Sequence, residues 1–219
     1  MSPIRRKKTQ PNFKFERELR SQGHLLVAGV DEAGRGAWAG PVVAAAVVLP
    51  FLNRSYGIND SKLLTPLQRE KVLLKVYQLA IDIGIGIVEN HELDEMGVGQ
   101  ATYLAMRRAV ANLSLTPEFI LVDGFRVGFS GAPSMGIIDG DQKSLSIAAA
   151  SIVAKVARDR MMDEIDQIVP GYGLSVHKGY GTAFHQIKLR ELGVSDWHRR
   201  SFRPVKTAVS TTANLQLSQ

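Results

Sequence analysis

Residues 42–49 read VVAAAVVL, eight apolar side chains in unbroken succession, closed by Pro50. A strand with one wet face alternates polar and apolar residues. This run does not, so both of its faces need cover. Such a strand belongs at the centre of a sheet with layers on either side, and the rest of the chain is expected to supply helices for them. His24–Val30 (HLLVAGV) predicts a first strand, followed by turn chemistry in GRG. The spacing predicts a helix over 61–80, with Pro66 suited to its first turn. Residues 81–88 (IDIGIGIV) alternate as a strand, and 91–113 read as a helix despite Gly97 and Gly99. A short buried strand at 118–122, a weaker one at 134–138, a long helix at 144–168 and a last helix at 182–192 follow. The short link between the first two strands predicts antiparallel pairing, and the later helical crossovers predict parallel pairing. The expected fold class is α/β, a mixed five-stranded sheet flanked by helices, with C-terminal helices.

Composition narrows the chemistry. The 219 residues contain no cysteine, which excludes disulfides and thiolate metal sites. Any metal must sit on oxygen or imidazole, favouring hard cations such as Mg²⁺ or Mn²⁺. No stretch approaches the ~20 apolar residues of a membrane span, and no apolar signal core follows the basic N-terminus. The chain is therefore expected to be soluble and cytoplasmic, a monomer with no membrane partner. Net charge is +6. Most of it lies in the first 20 residues, where Arg5, Arg6, Lys7, Lys8, Lys14, Arg17 and Arg20 face only Glu16 and Glu18. Residues 1–22 are expected to be a flexible basic arm adding phosphate affinity, 23–206 one domain, and 207–219 a loose tail.

Four acidic positions stand out by where they fall. Asp31 and Glu32 end the first strand, Asp123 ends EFILVD, and Asp141 lies in DGDQKS before the long helix. Ligands in open α/β sheets gather at strand ends. If the first and fourth strands are parallel neighbours, Asp31 and Asp123 lie side by side, and a divalent cation would relieve their repulsion. Asp139 competes with Asp141, and spacing hardly separates the two. The loop GRGAWAG is not G-x-G-x-x-G and lacks the Lys-Ser/Thr of a phosphate-cradling loop, so nucleotide binding is a poor reading. Bare backbone at Gly34 and Gly36 suits either a plain turn or a surface that meets a sugar edge.

The stretches GVDEAGRG, GPVVAAAVVL, NDSKLLT, LVDG, GDQKSLSIAAASIVAKVARD and HKGYGT resemble, in this order, the ribonuclease HII family, over about residues 24–205. The resemblance implies a ribonuclease H-like fold. It also implies an endoribonuclease that cuts the RNA strand of RNA–DNA hybrids and cuts 5′ of single ribonucleotides in duplex DNA, leaving 3′-hydroxyl and 5′-phosphate ends. The family's acidic site falls on Asp31, Glu32, Asp123 and Asp141, the last by its place in GDQKS. Two Mg²⁺ or Mn²⁺ ions are the implied cofactors. The junction-sensing glycine-arginine-glycine falls on Gly34, Arg35 and Gly36, the junction tyrosine on Tyr180, and Lys62 of NDSK looks like a phosphate contact. Ser151, Lys155 and Arg158 receive no role. The chain has Ala37-Trp38 where the family commonly has a proline followed by an apolar residue. The sister enzyme ribonuclease HIII carries a different loop after its acidic pair and a sizeable extra N-terminal domain. A non-enzymatic hybrid-binding module and a ribonuclease HIII-like nuclease are the alternative readings.

Overall fold

Every residue of β2, Val42–Val48, is buried, because helices cover both sides of it. The computed structural model describes residues 10–52 and 54–208. The other strands are β1 Val27–Ala33, β3 Asp82–Val88, β4 Phe119–Asp123 and β5 Ser134–Ile137. They form one five-stranded sheet in the order β3-β2-β1-β4-β5. β2 is antiparallel to both β1 and β3, while β4 is parallel to both β1 and β5. This is the expected mixed sheet.

The alternation of β2 divides the core. Ala45 and Val47 pack with Leu73 and Val76 of α2 (Pro66–Leu79) and with Ile152 and Val153 of α5 (Leu145–Ile168). Ala44, Ala46 and Val48 pack on the opposite face with Ala101, Ala105 and Ala109 of α4 (Val98–Ala111). Each fully buried valine or leucine contributes about 1.5–3 kcal/mol by leaving water. α2 starts at a capping box formed by Thr65 and Gln68, with Pro66 in its first turn, and Ser144 caps α5 by accepting from the Ile147 N–H.

Several boundaries differ from those expected. β1 runs on through Asp31 and Glu32 to Ala33, because it stays paired with β2 as far as Val43. The helix expected over 91–113 is two, α3 (Asn90–Met96) and α4, broken at Gly97, whose φ of 82° no continuous helix accepts. The segment 61–63 is a separate 3₁₀ turn rather than the start of α2.

The expected flexible arm needs correction. Lys14–Ser21 forms a helix, α1, with Phe13 and Leu19 buried. Its Glu16 carboxylate accepts from Ser144 Oγ at 2.7 Å, Ser146 Oγ at 2.9 Å and the Ser146 N–H at 3.0 Å. A negative charge placed at the N-terminus of a 24-residue helix is well matched to the helix dipole. Residues 1–9 lie outside the described residues. Of the tail, 209–219 lie outside them too, and 203–208 are helical. Among the described residues, no helix is long and apolar enough to cross a membrane.

Candidate active site

The register of β1 against β4 pairs Val30 with Val122, which brings Asp31 and Asp123 side by side at the same sheet edge. Asp141 enters from the 3₁₀ turn Gly140–Gln142 that leads into α5. One carboxylate oxygen from each of Asp31, Asp123 and Asp141 lies within 4.8 Å of the others. Asp139, by contrast, is exposed, in a left-handed conformation with φ 54°.

Asp31 and Asp123, crowded by each other and by Asp141, resist ionisation. Burial, then the charges of Glu32 and Asp123, raise the Asp31 pKa well above the ordinary carboxylate value, against the pull of a hydrogen bond from Ser151. Burial and the Asp141 charge raise Asp123, whose Oδ1 accepts the Gly140 N–H at 2.6 Å. Glu32 follows Asp31 on a strand, so the two side chains leave on opposite faces. Glu32 stands beside the Asp31–Asp123–Asp141 cluster, toward Thr102 and Met106 of α4, and it is raised by burial and by the Asp123 charge. An all-oxygen donor set with an excess of negative charge fits hard divalent cations.

Lys62 closes the outer side. Its Nζ lies 2.7 Å from Asp141 Oδ2. Burial alone would lower the lysine's pKa, but the Asp141 hydrogen bond and the charges of Asp141, Asp31 and Asp60 hold it above its usual value. Asp31, Glu32, Asp123, Lys62, the Gly34–Arg35–Gly36 backbone and Tyr180 line one open cleft, with Asp141 buried beneath.

Two loops form the far wall. Gly34 has φ 91°, and a Cβ there would lie 1.9 Å from Arg158 Nε. The loop holds its shape with Ala37-Trp38 in place of proline: Ala37 is buried, the Trp38 N–H donates to Gly179 at 2.8 Å, and the Trp38 ring packs against His185. Gly179 and Gly181 flank Tyr180, and their bareness serves packing rather than room for its ring. A Cβ at Gly179 would meet the Ala39 carbonyl, and one at Gly181 the Trp38 ring.

Some contributors had no role assigned from the sequence. Arg158 is fully buried and donates to the carbonyls of Pro41, Ala39 and Lys178 at 2.9, 3.1 and 2.9 Å. Arg199, also buried, donates to those of Gly40, Arg35 and Pro41 at 2.9, 3.1 and 3.0 Å. Together the two guanidinium forks tie the Gly34–Pro41 loop to the Tyr180 loop. Arg158 also lies 5.5 Å from the centre of the Tyr180 ring. Ser151 bonds Ser61 at 2.9 Å, which anchors the turn that carries Lys62. Lys155 pairs with Asp159 at 2.6 Å. Asp60, buried beside Asp141, receives the Lys62 N–H at 2.9 Å and is a carboxylate that the spacing of motifs did not pick out.

Comparison with known proteins agrees with this geometry. The family model for ribonuclease HII matches residues 28–205. A ribonuclease HII of Dehalococcoides mccartyi is 47% identical over 201 residues, covering 90% of this chain and 94% of the relative. One of Geobacillus thermodenitrificans is 49% identical over 204 residues, covering 93% of this chain and 78% of the relative. The crystal structure of ribonuclease H2 from Pyrococcus horikoshii superposes with a TM-score of 0.74 at 28% identity, covering 86% of this chain and 99% of that one. The match spans the five strands, the Gly34–Pro41 and Tyr180 loops and every carboxylate of the cluster: the chain belongs to the ribonuclease HII family, endoribonucleases that act on RNA–DNA hybrids.

Proposed function

We propose that the chain cuts 5′ of ribonucleotides, in continuous hybrids and at single ribonucleotides in duplex DNA, and leaves 3′-hydroxyl and 5′-phosphate ends. The reading rests on one observation, the convergence of Asp31, Asp123 and Asp141 oxygens within 4.8 Å beside a cleft walled by bare backbone. Asp31, Glu32, Asp123 and Asp141 would hold two divalent cations, Mg²⁺ or Mn²⁺. Bound there, the ions would supply an activated water and neutralise charge on the leaving 3′ oxygen.

The chain's own residues do the rest. Asp31 and Asp123, side by side on neighbouring strands, would be the shared ligands. Glu32, offset toward α4, would orient water or hold the ribose 2′-hydroxyl. Lys62 exchanges Asp141 for a phosphate oxygen when duplex binds. The Gly34–Arg35–Gly36 backbone meets the ribose edge, and the Tyr180 ring covers the next deoxyribose. The 2′-hydroxyl is the group that separates RNA from DNA, so no base sequence is read. One chain suffices for this chemistry, and the absence of cysteine is compatible with work in the cytoplasm.

The test is a gel assay with Mg²⁺ or Mn²⁺ on three duplexes. A hybrid should be cut at many sites, a DNA duplex with one ribonucleotide once on its 5′ side, and an all-DNA duplex not at all. Equal cutting of the last two would overturn the sugar-reading roles.

A further inference from the structure

The main chain of Tyr180 is held by buried histidines that the cleavage chemistry does not use. His185, on α7 (Ala183–Leu192), is fully buried, and its Nδ1 lies 3.0 Å from the Tyr180 carbonyl oxygen. A carbonyl only accepts, so Nδ1 carries the proton. Burial lowers the His185 pKa to about 4, so the ring is neutral at pH 7 and its Nε2 is a bare acceptor. Nε2 of His198 lies 3.0 Å away and must donate to it. His198 is buried and likewise lowered to about 4, by burial and then by His185, so its Nδ1 is bare. That nitrogen accepts from the Ser195 N–H at 3.1 Å and meets the Ser195 hydroxyl at 2.8 Å. The chain therefore has one direction: Ser195 to His198 to His185 to the Tyr180 carbonyl. The reverse is closed at both ends, since a main-chain N–H cannot accept and a carbonyl cannot donate.

The two ends belong to different loops of the cleft wall. The main chain of His198 bridges to Ala39, and the next residue, Arg199, donates its N–H to Trp38 at 2.7 Å. One end of the relay is thus fixed to the loop that begins at Gly34, and the other ends on Tyr180. The segment between α6 (Leu174–His177) and α7 includes Gly179, Gly181 and a left-handed Lys178; the Tyr180 N–H donates to the His177 carbonyl at 2.9 Å and the Thr182 N–H to the Tyr180 carbonyl at 2.8 Å, which fold it into a turn, so its place relative to the Gly34 loop comes from bonds to residues outside it.

We infer that His185 and His198 are specificity-determining positioning residues, whose directed hydrogen bonds set the place of Tyr180 relative to the Gly34–Gly36 backbone. This rests on the reading of Tyr180 as the junction contact. Neither imidazole touches substrate. Their effect is on discrimination between a single ribonucleotide and a continuous hybrid, because only the former places a deoxyribose under the tyrosine ring.

The experiment has two arms. The first compares kcat/KM on both substrates for His185→Phe, which fills the space without either bond, and His185→Gln, which can donate to Tyr180 and accept from His198. The ratio of single-ribonucleotide to hybrid cleavage should fall about tenfold in His185→Phe, since small misplacements of a positioning group cost this much or more. In His185→Gln it should stay within about threefold of wild type, a difference of about 0.7 kcal/mol. Equal losses on both substrates in His185→Phe would overturn the inference. Tyr180→Ala runs alongside. If it leaves the ratio unchanged, the junction reading falls and the inference with it. If it lowers the ratio and His185→Phe does not, the inference alone fails. The second arm needs no variant to fold: imidazole nitrogen shifts of the wild-type protein at pH 7 should show His185 protonated at Nδ1 and His198 at Nε2. The opposite tautomers, or a charged ring, would overturn it.

Discussion

Lys62 and Asp141 form an ion pair of unequal partners: the lysine side chain is 71% exposed, the aspartate 2% exposed, and their charged atoms are 2.7 Å apart. The ammonium therefore competes for a carboxylate that a divalent cation would also use. Lys62→Met should tighten Mn²⁺ binding to the free protein by about two- to fivefold, the range of a partly exposed pair. The same change should raise KM for the hybrid, because a phosphate contact is lost. Calorimetric titration with Mn²⁺ and steady-state kinetics give the two readings. Weaker Mn²⁺ binding in the variant would mean that the lysine supports the cluster rather than competing in it.

Asp31 illustrates a conflict between stability and function. It is buried among like charges, and the fold resists its ionisation. Asp31→Asn should abolish cleavage yet raise Tm in the presence of chelator, by about 2–4 °C for each kcal/mol of relieved repulsion. Saturating Mn²⁺ should raise the wild-type Tm and leave that of Asp31→Asn nearly unchanged. Thermal melts with chelator and with Mn²⁺ check both halves.

The parts of the fold that could be read in the sequence are those where one residue type dictates its surroundings. The unbroken run at β2 demanded two covering layers, and Pro66 and Ser144 mark helix starts by their own chemistry. Asp31 and Asp123 followed from strand ends once parallel pairing was assumed. α1 was missed because KFERELRS looks like a solvated segment. What anchors it is a buried Glu16 bonded to serines 128 and 130 positions away, a pairing with no local signal. Arg158 stood in a matching stretch without a role and Arg199 went unnoticed for the same reason: their partners are main-chain carbonyls, which every residue possesses.

Acid should act on stability through two groups with opposite sign. His185 and His198 have pKa values of about 4 in the fold, against ~6.5 in an unfolded chain. Between these values the unfolded state binds more protons, so their contribution is lost as pH falls. The raised carboxyls of Asp31, Glu32 and Asp123 bind protons in the fold first, so without metal they contribute stability as pH falls toward about 4. Relative to wild type in chelator, His185→Gln should gain Tm between pH 6.5 and 4.5. Over the same interval Asp31→Asn should lose its advantage. Parallel pH curves for all three proteins would remove the histidines and the cluster as sources of pH dependence.

Truncations at the N-terminus should separate charge from fold. Deleting residues 1–9 removes Arg5, Arg6, Lys7 and Lys8 and should flatten the salt dependence of duplex binding with little change in Tm. Deleting 1–20 also removes the buried Phe13, Glu16 and Leu19, and should lower Tm. Glu16→Gln in the full chain should account for part of that loss, about 1–3 kcal/mol for hydrogen bonds to a buried charge. Fluorescence anisotropy against salt and thermal melts distinguish the two. Equal Tm for both deletions would mean that α1 is dispensable to the domain.

Gly34 and Gly36 lie two residues apart in one loop, yet the protein demands only the first. Gly34 is left-handed and pressed against the Arg158 guanidinium, so a methyl group there displaces an arginine that holds three carbonyls. Gly34→Ala should therefore lower Tm, with a cost of about 1–3 kcal/mol from backbone strain before the displaced arginine is counted. Gly36 is exposed, and an added Cβ would meet no heavy atom within 4 Å. Nothing inside the fold calls for glycine at that position; a nucleic-acid sugar brought against the backbone would. Gly36→Ala should melt within about 2 °C of wild type, as a surface change worth under 0.5 kcal/mol does. It should nevertheless lose about tenfold or more in kcat/KM on the single-ribonucleotide duplex, mainly through KM, since one misplaced contact costs that much. Melts and kinetics on the same preparation decide it. Unchanged cleavage with unchanged Tm would show that the substrate does not touch the backbone at Gly36, and the sugar-reading surface would then lie elsewhere along the cleft.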